Sequence, residues 1–332
     1  GPETDGVGEC VAMSEPLYVS EFVDTAELVL RKHLIPRLDA EDVTASTLGS
    51  LLEPIQGHRM AKAALEMAVL DAELKLLGQP LAERLGATRS RVPAGVVVGI
   101  CASTAELLDT VGRHLQQGYR RVKLKIRPGW DLVPVQAVRE RYGDALSLQV
   151  DANGAYRLGQ TRTLQALDPF GLTFIEQPLP ADDVRGHVEL ARRLVTPICL
   201  DESIVSVRSA LDAIERGACQ AISIKPGRVG GLLEAVRIHD LCVSRGIAAT
   251  CGGMLETGIG RSANLALAAL PGFNLTGDLS ASDRYFARDI TLPIVLEDGS
   301  LRVPARPGHG AIVDPAYVSE LTVTRETIPL GR

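Results

Sequence analysis

VKLKI (122–126), LSLQVD (146–151), LTFIEQP (172–178), PICLDES (197–203) and AISIKPG (221–227) are short apolar runs that each carry an ionisable residue at or near the end. Those residues, Lys125, Asp151, Glu176, Asp201 and Lys225, are spaced 26, 25, 25 and 24 positions apart. A strand, a turn, a helix and a return loop use about that many residues, since a βαβ unit with both its strands needs roughly 30. The repeat predicts parallel strands wound with helices, each strand presenting one charged group at its C-terminal end. In a (β/α)8 barrel that end is where the chemistry is done.

Working outward, VVVGI (96–100) reads as the first strand of the series, and IAATCGG (247–253) and FNLTGD (273–278) as the seventh and eighth. TAELLDTVGRHLQQG (104–118) is an amphipathic helix ending at Gly118, whereas the helix expected after LSLQVD is the least regular. Upstream, Glu9–Met13 reads as a strand entered as though in mid-sheet, and SEFVDTAELVLRKHLIPRL as a helix with Ser20 at its N-cap. Met60–Leu77 predicts a second helix with the stripe Leu65, Ala68, Val69, Ala72 and Leu76, stopped by Gly78 and Pro80. The tail beyond Ala287 leaves the repeat and is expected to pack back on the first unit. The expected domains are therefore an α+β cap over 1–90, a barrel over 91–286 and a returning segment over 287–332.

With 332 residues, 45% of them hydrophobic, the chain can bury a large core. A net charge of −6 without a long basic run excludes nucleic acid as an expected partner. No apolar run reaches the ~18 residues of a membrane span, so no membrane partner is expected either. The six cysteines form no CxxC pair and read as reduced, buried thiols of a cytoplasmic protein.

If the eight strands close in order, neighbours ~4.8 Å apart let Asp151, Glu176 and Asp201 converge on one point. Three carboxylates with no His or Cys among them are hard oxygen ligands, suited to Mg²⁺ or Mn²⁺ at ~2.1 Å. A single one reads better as a helix cap or a lysine's partner; three in phase read as a metal site. Lys125 and Lys225 fall four strands apart in a ring of eight, across the mouth from each other. Lys123 shares a face with Lys125, because side chains alternate along a strand. A lysine is too basic at its reference pKa of ~10.4 to act as a base near neutrality, but a divalent cation, a second ammonium and burial all disfavour its charge. Two lysines flanking a metal-held carboxylate can remove and return the proton α to it. Two acting on one carbon epimerise it; one acting as base and then acid gives syn elimination. His239, His309 and Trp130 are expected to have no part in this.

VKLKI, VDANGAY, IEQPL, CLDES, SIKPGRVGG, CGGMLETGIGRSANLALAALP and GDLSASDRY together resemble the enolase superfamily, in its o-succinylbenzoate synthase / N-acylamino acid racemase branch. The resemblance spans nearly the whole chain. It implies a modified (β/α)7β TIM-type barrel under an α+β capping domain built from both termini. It also implies Asp151, Glu176 and Asp201 as Mg²⁺ ligands, Lys125 and Lys225 as the acid/base pair with Lys123 assisting, and Asn153, Gly253 and Met254 in the substrate pocket. The substrate would be a small carboxylate, dehydrated to o-succinylbenzoate for menaquinone synthesis, or an N-acylamino acid racemised, in a cytoplasmic homo-oligomer. Arg228 matches an arginine of members performing both reactions; by itself it reads as a solvated loop residue beside glycines. Val97 stands where relatives often carry serine. The family's first segment and the mobile loop that closes over the site find no counterpart in the sequence.

Other branches fit less well. Mandelate racemase-like enzymes use a histidine after the seventh strand, which TCGGMLETG lacks. Dipeptide epimerases carry a DxD where Asp278 is followed by Leu279 and Ser280. Muconate cycloisomerase-like enzymes share the paired lysines and stand as an alternative. From another class, the alternative is a catalytically silent barrel with a binding role.

Overall fold

A computed structural model describes residues 5–39 and 43–330. Its centre is a seven-stranded parallel sheet whose strands follow one another in sequence order. They are β2 (Gly95–Val98), β3 (Arg121–Lys125), β4 (Ser147–Asp151), β5 (Ile175–Glu176), β6 (Ile198–Leu200), β7 (Ala221–Ile224) and β8 (Ala248–Cys251). β1 (Arg91–Pro93) stands apart, antiparallel to β9 (Ser300–Arg302). Helices cover the outer face, and the strand residues turned toward them, among them Val96, Val122, Leu148, Ile175, Ile198 and Ile222, are fully buried. The first of these helices, Thr104–Gln117, is capped by Ser103, whose Oγ accepts from Glu106 N, and ends on Gly118 in the left-handed region. After β4 two short 3-10 turns flank a five-residue helix, the irregularity expected there.

The alternate residues line the barrel's interior. Register pairs Val97 with Lys123, Lys123 with Gln149, Lys125 with Asp151, and Asp151 with Glu176, so all these side chains share the inner face. Phe174, Cys199 and Ala221 form a separate small apolar cluster, with Cys199 paired in register to Glu176 and Ala221.

The eighth run, FNLTGD, is not a ladder strand. It meets β8 through one bridge, Ala249–Phe273, and through Leu275 N to Ala249 O (3.2 Å) and Asp278 N to Cys251 O (3.1 Å). Asn274 explains the interruption: its side-chain Oδ1 accepts from Ala249 N at 3.1 Å in place of a backbone carbonyl. On the far side Ser280 Oγ donates to Gly95 O on β2 at 2.7 Å.

Three upstream expectations are corrected. Among the described residues Glu9–Met13 has no strand beside it and bridges only at Met13–Phe22; the preceding backbone lies on a helix, Val7 N donating to Asp71 at 2.9 Å. Ser20 caps nothing, because the helix is Val23–Val29 with Phe22 as N-cap, Phe22 N donating to Thr25 Oγ1 at 3.1 Å. It continues as a π turn and a 3-10 turn at Pro36, which has no N–H to extend the α pattern. The helix Arg59–Leu76 is buried on two sides: Met67, Leu70 and Leu74 join the main core, while Ala61 and Leu65 pack with Ala26, Leu34, Leu48 and Leu52. Leu76, counted in the stripe, is 53% exposed.

The C-terminal segment contacts the N-terminal helices. Beyond the β1–β9 pair, Leu81 N donates to Gly308 O (2.8 Å) and His309 N to Asp71 Oδ1 (2.9 Å), so residues from both ends of the sequence share the cap.

Candidate active site

Five strand ends carry the five residues of the repeat. Lys125, Asp151 and Glu176 are the last residues of β3, β4 and β5, and Asp201 and Lys225 follow β6 and β7 directly. Inward alternation and parallel register thus collect them at one mouth. Asp151, Glu176 and Asp201 are at most 1% exposed, and Lys123 and Lys225 are buried, whereas the Lys125 side chain is 32% exposed.

The lysines bind the carboxylates. Lys125 Nζ lies 2.8 Å from Asp151 Oδ2. Lys123 Nζ reaches Glu176 Oε2 at 2.9 Å, Asp151 Oδ2 at 3.4 Å and also Asp278. Lys225 Nζ is 2.7 Å from Asp201 Oδ2, and Arg228 holds the other Asp201 oxygen. The acids around Lys123 and Lys225 set the charge of these two lysines. Burial opposes the charge on Lys123, but Asp278, Glu176 and Asp151 overcome it and hold the ammonium above the ordinary lysine range. Burial of Lys225 is likewise outweighed, by Tyr18, Glu176, Glu202 and Asp151.

Three buried carboxylates on adjacent strands make an all-oxygen donor set of the kind a divalent cation takes, with Glu176 Oε1 buried and without a hydrogen-bond partner. These residues fit such an ion chemically. With lysine and arginine on their oxygens, no three His, Cys, Asp or Glu side chains among the described residues are gathered into a ready ligand group.

The family described as enolase C-terminal domain-like matches residues 106–317. The chain belongs to the enolase superfamily. It is 59% identical over 325 residues to an N-succinylamino acid racemase of an Amycolatopsis species, covering 98% of this chain and 88% of that protein. It is 47% identical to an o-succinylbenzoate synthase of Geobacillus kaustophilus, covering 96% and 86%. The fold superposes on a solved enolase-superfamily member from Listeria innocua with a TM-score of 0.91 at 41% identity, covering 95% and 85%. This superfamily member is therefore an enzyme of the o-succinylbenzoate synthase and N-acylamino acid racemase branch, acting on a small molecule, and the silent barrel is set aside. No helix among its described residues is long and apolar enough to cross a membrane.

The enzyme's remaining expected residues fall around the mouth. Asn153, in the left-handed region at φ 42°, accepts from Lys125 Nζ at 2.5 Å and donates to Glu202 at 2.7 Å. Gly253 lies against the Asp278 carbonyl and Arg261, and Met254 N donates to Glu256 at 2.6 Å. The preceding glycine is fixed by contact: a Cβ on Gly252 would sit 2.6 Å from Lys225 Cε. Arg228 is no solvated loop residue. It is 2% exposed and donates to Ile204 O (2.9 Å) and Ser223 O (2.6 Å) as well as holding Asp201.

Sequence reasoning missed three residues. Tyr18 reaches from the cap, its OH 3.1 Å from Lys225 Nζ and 3.3 Å from Asp201, with the ammonium 5.0 Å from the ring centroid. Nothing in EPLYVS signals this. Glu202, a second acid beside Asp201, and Asp278, a charge closing the eighth run, were readable as strand-end carboxylates.

Proposed function

We propose that this enzyme abstracts the proton α to the carboxylate of a small substrate, with Lys125 and Lys225 as the acid/base pair and Asp151, Glu176 and Asp201 as ligands of Mg²⁺ or another divalent cation. The observation that carries the reading is the arrangement of the two lysines four strands apart, with three buried carboxylates at the intervening strand ends. When bound, the cation supplies positive charge opposite the oxygens of the enediolate. Lys123, buried and held protonated, adds a fixed charge from below. Both flanking lysines are paired with carboxylates, Lys125 with Asp151 and Lys225 with Asp201, so a free amine requires those carboxylates to have another cationic partner. Tyr18 and Arg228 hold the Lys225 side of the site, while Asn153 orients Lys125.

The two activities we assign are o-succinylbenzoate synthesis by dehydration and racemisation of N-acylamino acids, N-succinyl ones first. Synthesis needs one lysine, racemisation both. Six free thiols, four of them buried, support a reducing, cytoplasmic setting. We further divide the chain into a cap over 1–90, a barrel over 91–286 and a returning segment over 287–332, supported by the tail's contacts with Asp71 and Leu81.

The test follows α-deuterium incorporation into L- and D-N-succinyl amino acids with Mg²⁺ present. Lys125→Ala should abolish exchange of one enantiomer and Lys225→Ala of the other, with racemisation lost in both by at least about 100-fold. Full exchange of both enantiomers in both variants would refute the two-base assignment.

A further inference from the structure

Asp278 stands where the barrel closes, and its two oxygens are divided between two cations. Oδ1 takes Arg121 Nη1 at 2.7 Å and Oδ2 takes Lys123 Nζ. Arg121 and Lys123 are alternate residues of β3 and share its inner face, one layer apart. Arg121 is 1% exposed, and among the described residues Asp278 is its ion-pair partner. Lys123 is drawn the other way round the ring, toward Glu176 on β5 and Asp151 on β4. The seam is held on one side by side-chain donors, Ser280 Oγ to Gly95 O and Arg284 Nη2 to Val97 O, and on the other by the backbone bonds Leu275 N to Ala249 O and Asp278 N to Cys251 O. Gly95 has no side chain, and the Arg121 guanidinium fills the place where its Cβ would be.

We propose that Asp278 is a positioning residue for the proton chemistry, holding the Lys123 ammonium in place from the seam side, with Arg121 fixing the carboxylate that does so. The inference rests on the α-proton abstraction proposed above. Without Asp278, Lys123 is left with Glu176 and Asp151 and moves onto them, shifting the fixed positive charge and competing for their oxygens. A displacement near 1 Å at such a group costs up to about 100-fold in rate.

The experiment compares Asp278→Asn, Asp278→Glu and Ser280→Ala with the wild type. Asp278→Asn keeps size and loses the charge; Ser280→Ala loosens the same seam without touching Lys123. The expected result is that Asp278→Asn lowers kcat for α-deuterium exchange about 10- to 100-fold with KM within about threefold, and that Asp278→Glu recovers part of it. Ser280→Ala should lower Tm and keep wild-type kcat. If Asp278→Asn keeps wild-type kcat, or Ser280→Ala loses kcat in the same proportion to Tm, the role is structural and the proposal is overturned. Should Asp278→Asn not fold, Asp278→Glu decides: wild-type kcat overturns it, a kcat loss at unchanged KM supports it. Position is also read without turnover, from the crystal structure of whichever Asp278 variant folds. Lys123 Nζ displaced from its wild-type place supports the proposal, and an unmoved Nζ overturns it. A wild type that exchanges no N-succinyl substrate counts against the proposed function alone, because the crystallographic result still decides the positioning.

Discussion

A methyl group at Gly95 would fall on the guanidinium of Arg121, the end of a buried side chain. Arg121 is buried and its charge is matched by Asp278, so displacing it leaves a buried guanidinium unpaired and takes from Asp278 one of its two cations, as well as straining the seam. Gly95→Ala is expected to destabilise the chain by about 1–3 kcal/mol in urea unfolding, the range for overpacking a filled interior. A variant as stable as the wild type would mean that Arg121 is free to move. Gly95 is also a residue whose importance no local pattern announces; it follows from register with Arg121. The lysines of VKLKI were legible because their phase along a strand is fixed. Arg228 was not, since its flanking glycines suggest exposure while its burial comes from Asp201, Ile204 and Ser223, all distant by at least five residues.

Among the elements, the barrel's repeat could be read because each strand is specified by its own apolar run. The contacts that seat the cap could not, because they join residues far apart in sequence. Glu9, in a segment read as a strand, caps the barrel helix Gly258–Ala268, accepting from Thr257 N and Gly260 N at 2.8 Å each. Glu66, on the cap helix Arg59–Leu76, accepts from Leu233 N at 3.1 Å, at the start of the barrel helix Leu232–Arg245. Burial pushes the Glu66 carboxyl up to about 7, against the pull of the Leu233 and Leu232 N–H groups and Arg237, with Glu234 adding repulsion. A carboxyl raised in the folded state stabilises it fully below the ordinary glutamate value, and that contribution is lost as pH rises through about 7. Glu66→Gln retains an acceptor for the helix and removes the charge. Between pH 4.5 and pH 8 the wild type should lose on the order of 3 kcal/mol relative to this variant in urea unfolding. Parallel pH dependences would show that Glu66 titrates normally.

For the molecule as a whole, the ring of Asp151, Glu176, Asp201, Glu202 and Asp278 against Arg121, Lys123, Lys125, Lys225 and Arg228 is a concentration of mostly buried charge. Burying ions costs several kcal/mol each before pairing offsets it, so this centre is not where fold stability is expected to originate. The outer apolar faces of the strands and their helices supply that. What the ring can do is respond to a cation that binds the folded chain and not the unfolded one. Such an ion stabilises by about 2.7 kcal/mol when its concentration is 100 times Kd. With roughly 2–4 °C per kcal/mol in domains of 150–250 residues, a rise of several degrees in Tm is expected on adding Mg²⁺ to chelator-treated protein. The rise should grow with Mg²⁺ concentration and vanish in Glu176→Gln, which neutralises the carboxylate whose Oε1 lacks a hydrogen-bond partner. K⁺ at equal ionic strength serves as the control, because screening alone would act on exposed pairs and leave a buried ring nearly untouched. If Tm stays flat as Mg²⁺ is raised to millimolar levels, the lysines and arginines are the carboxylates' permanent partners, and the metal assignment of Asp151, Glu176 and Asp201 is wrong.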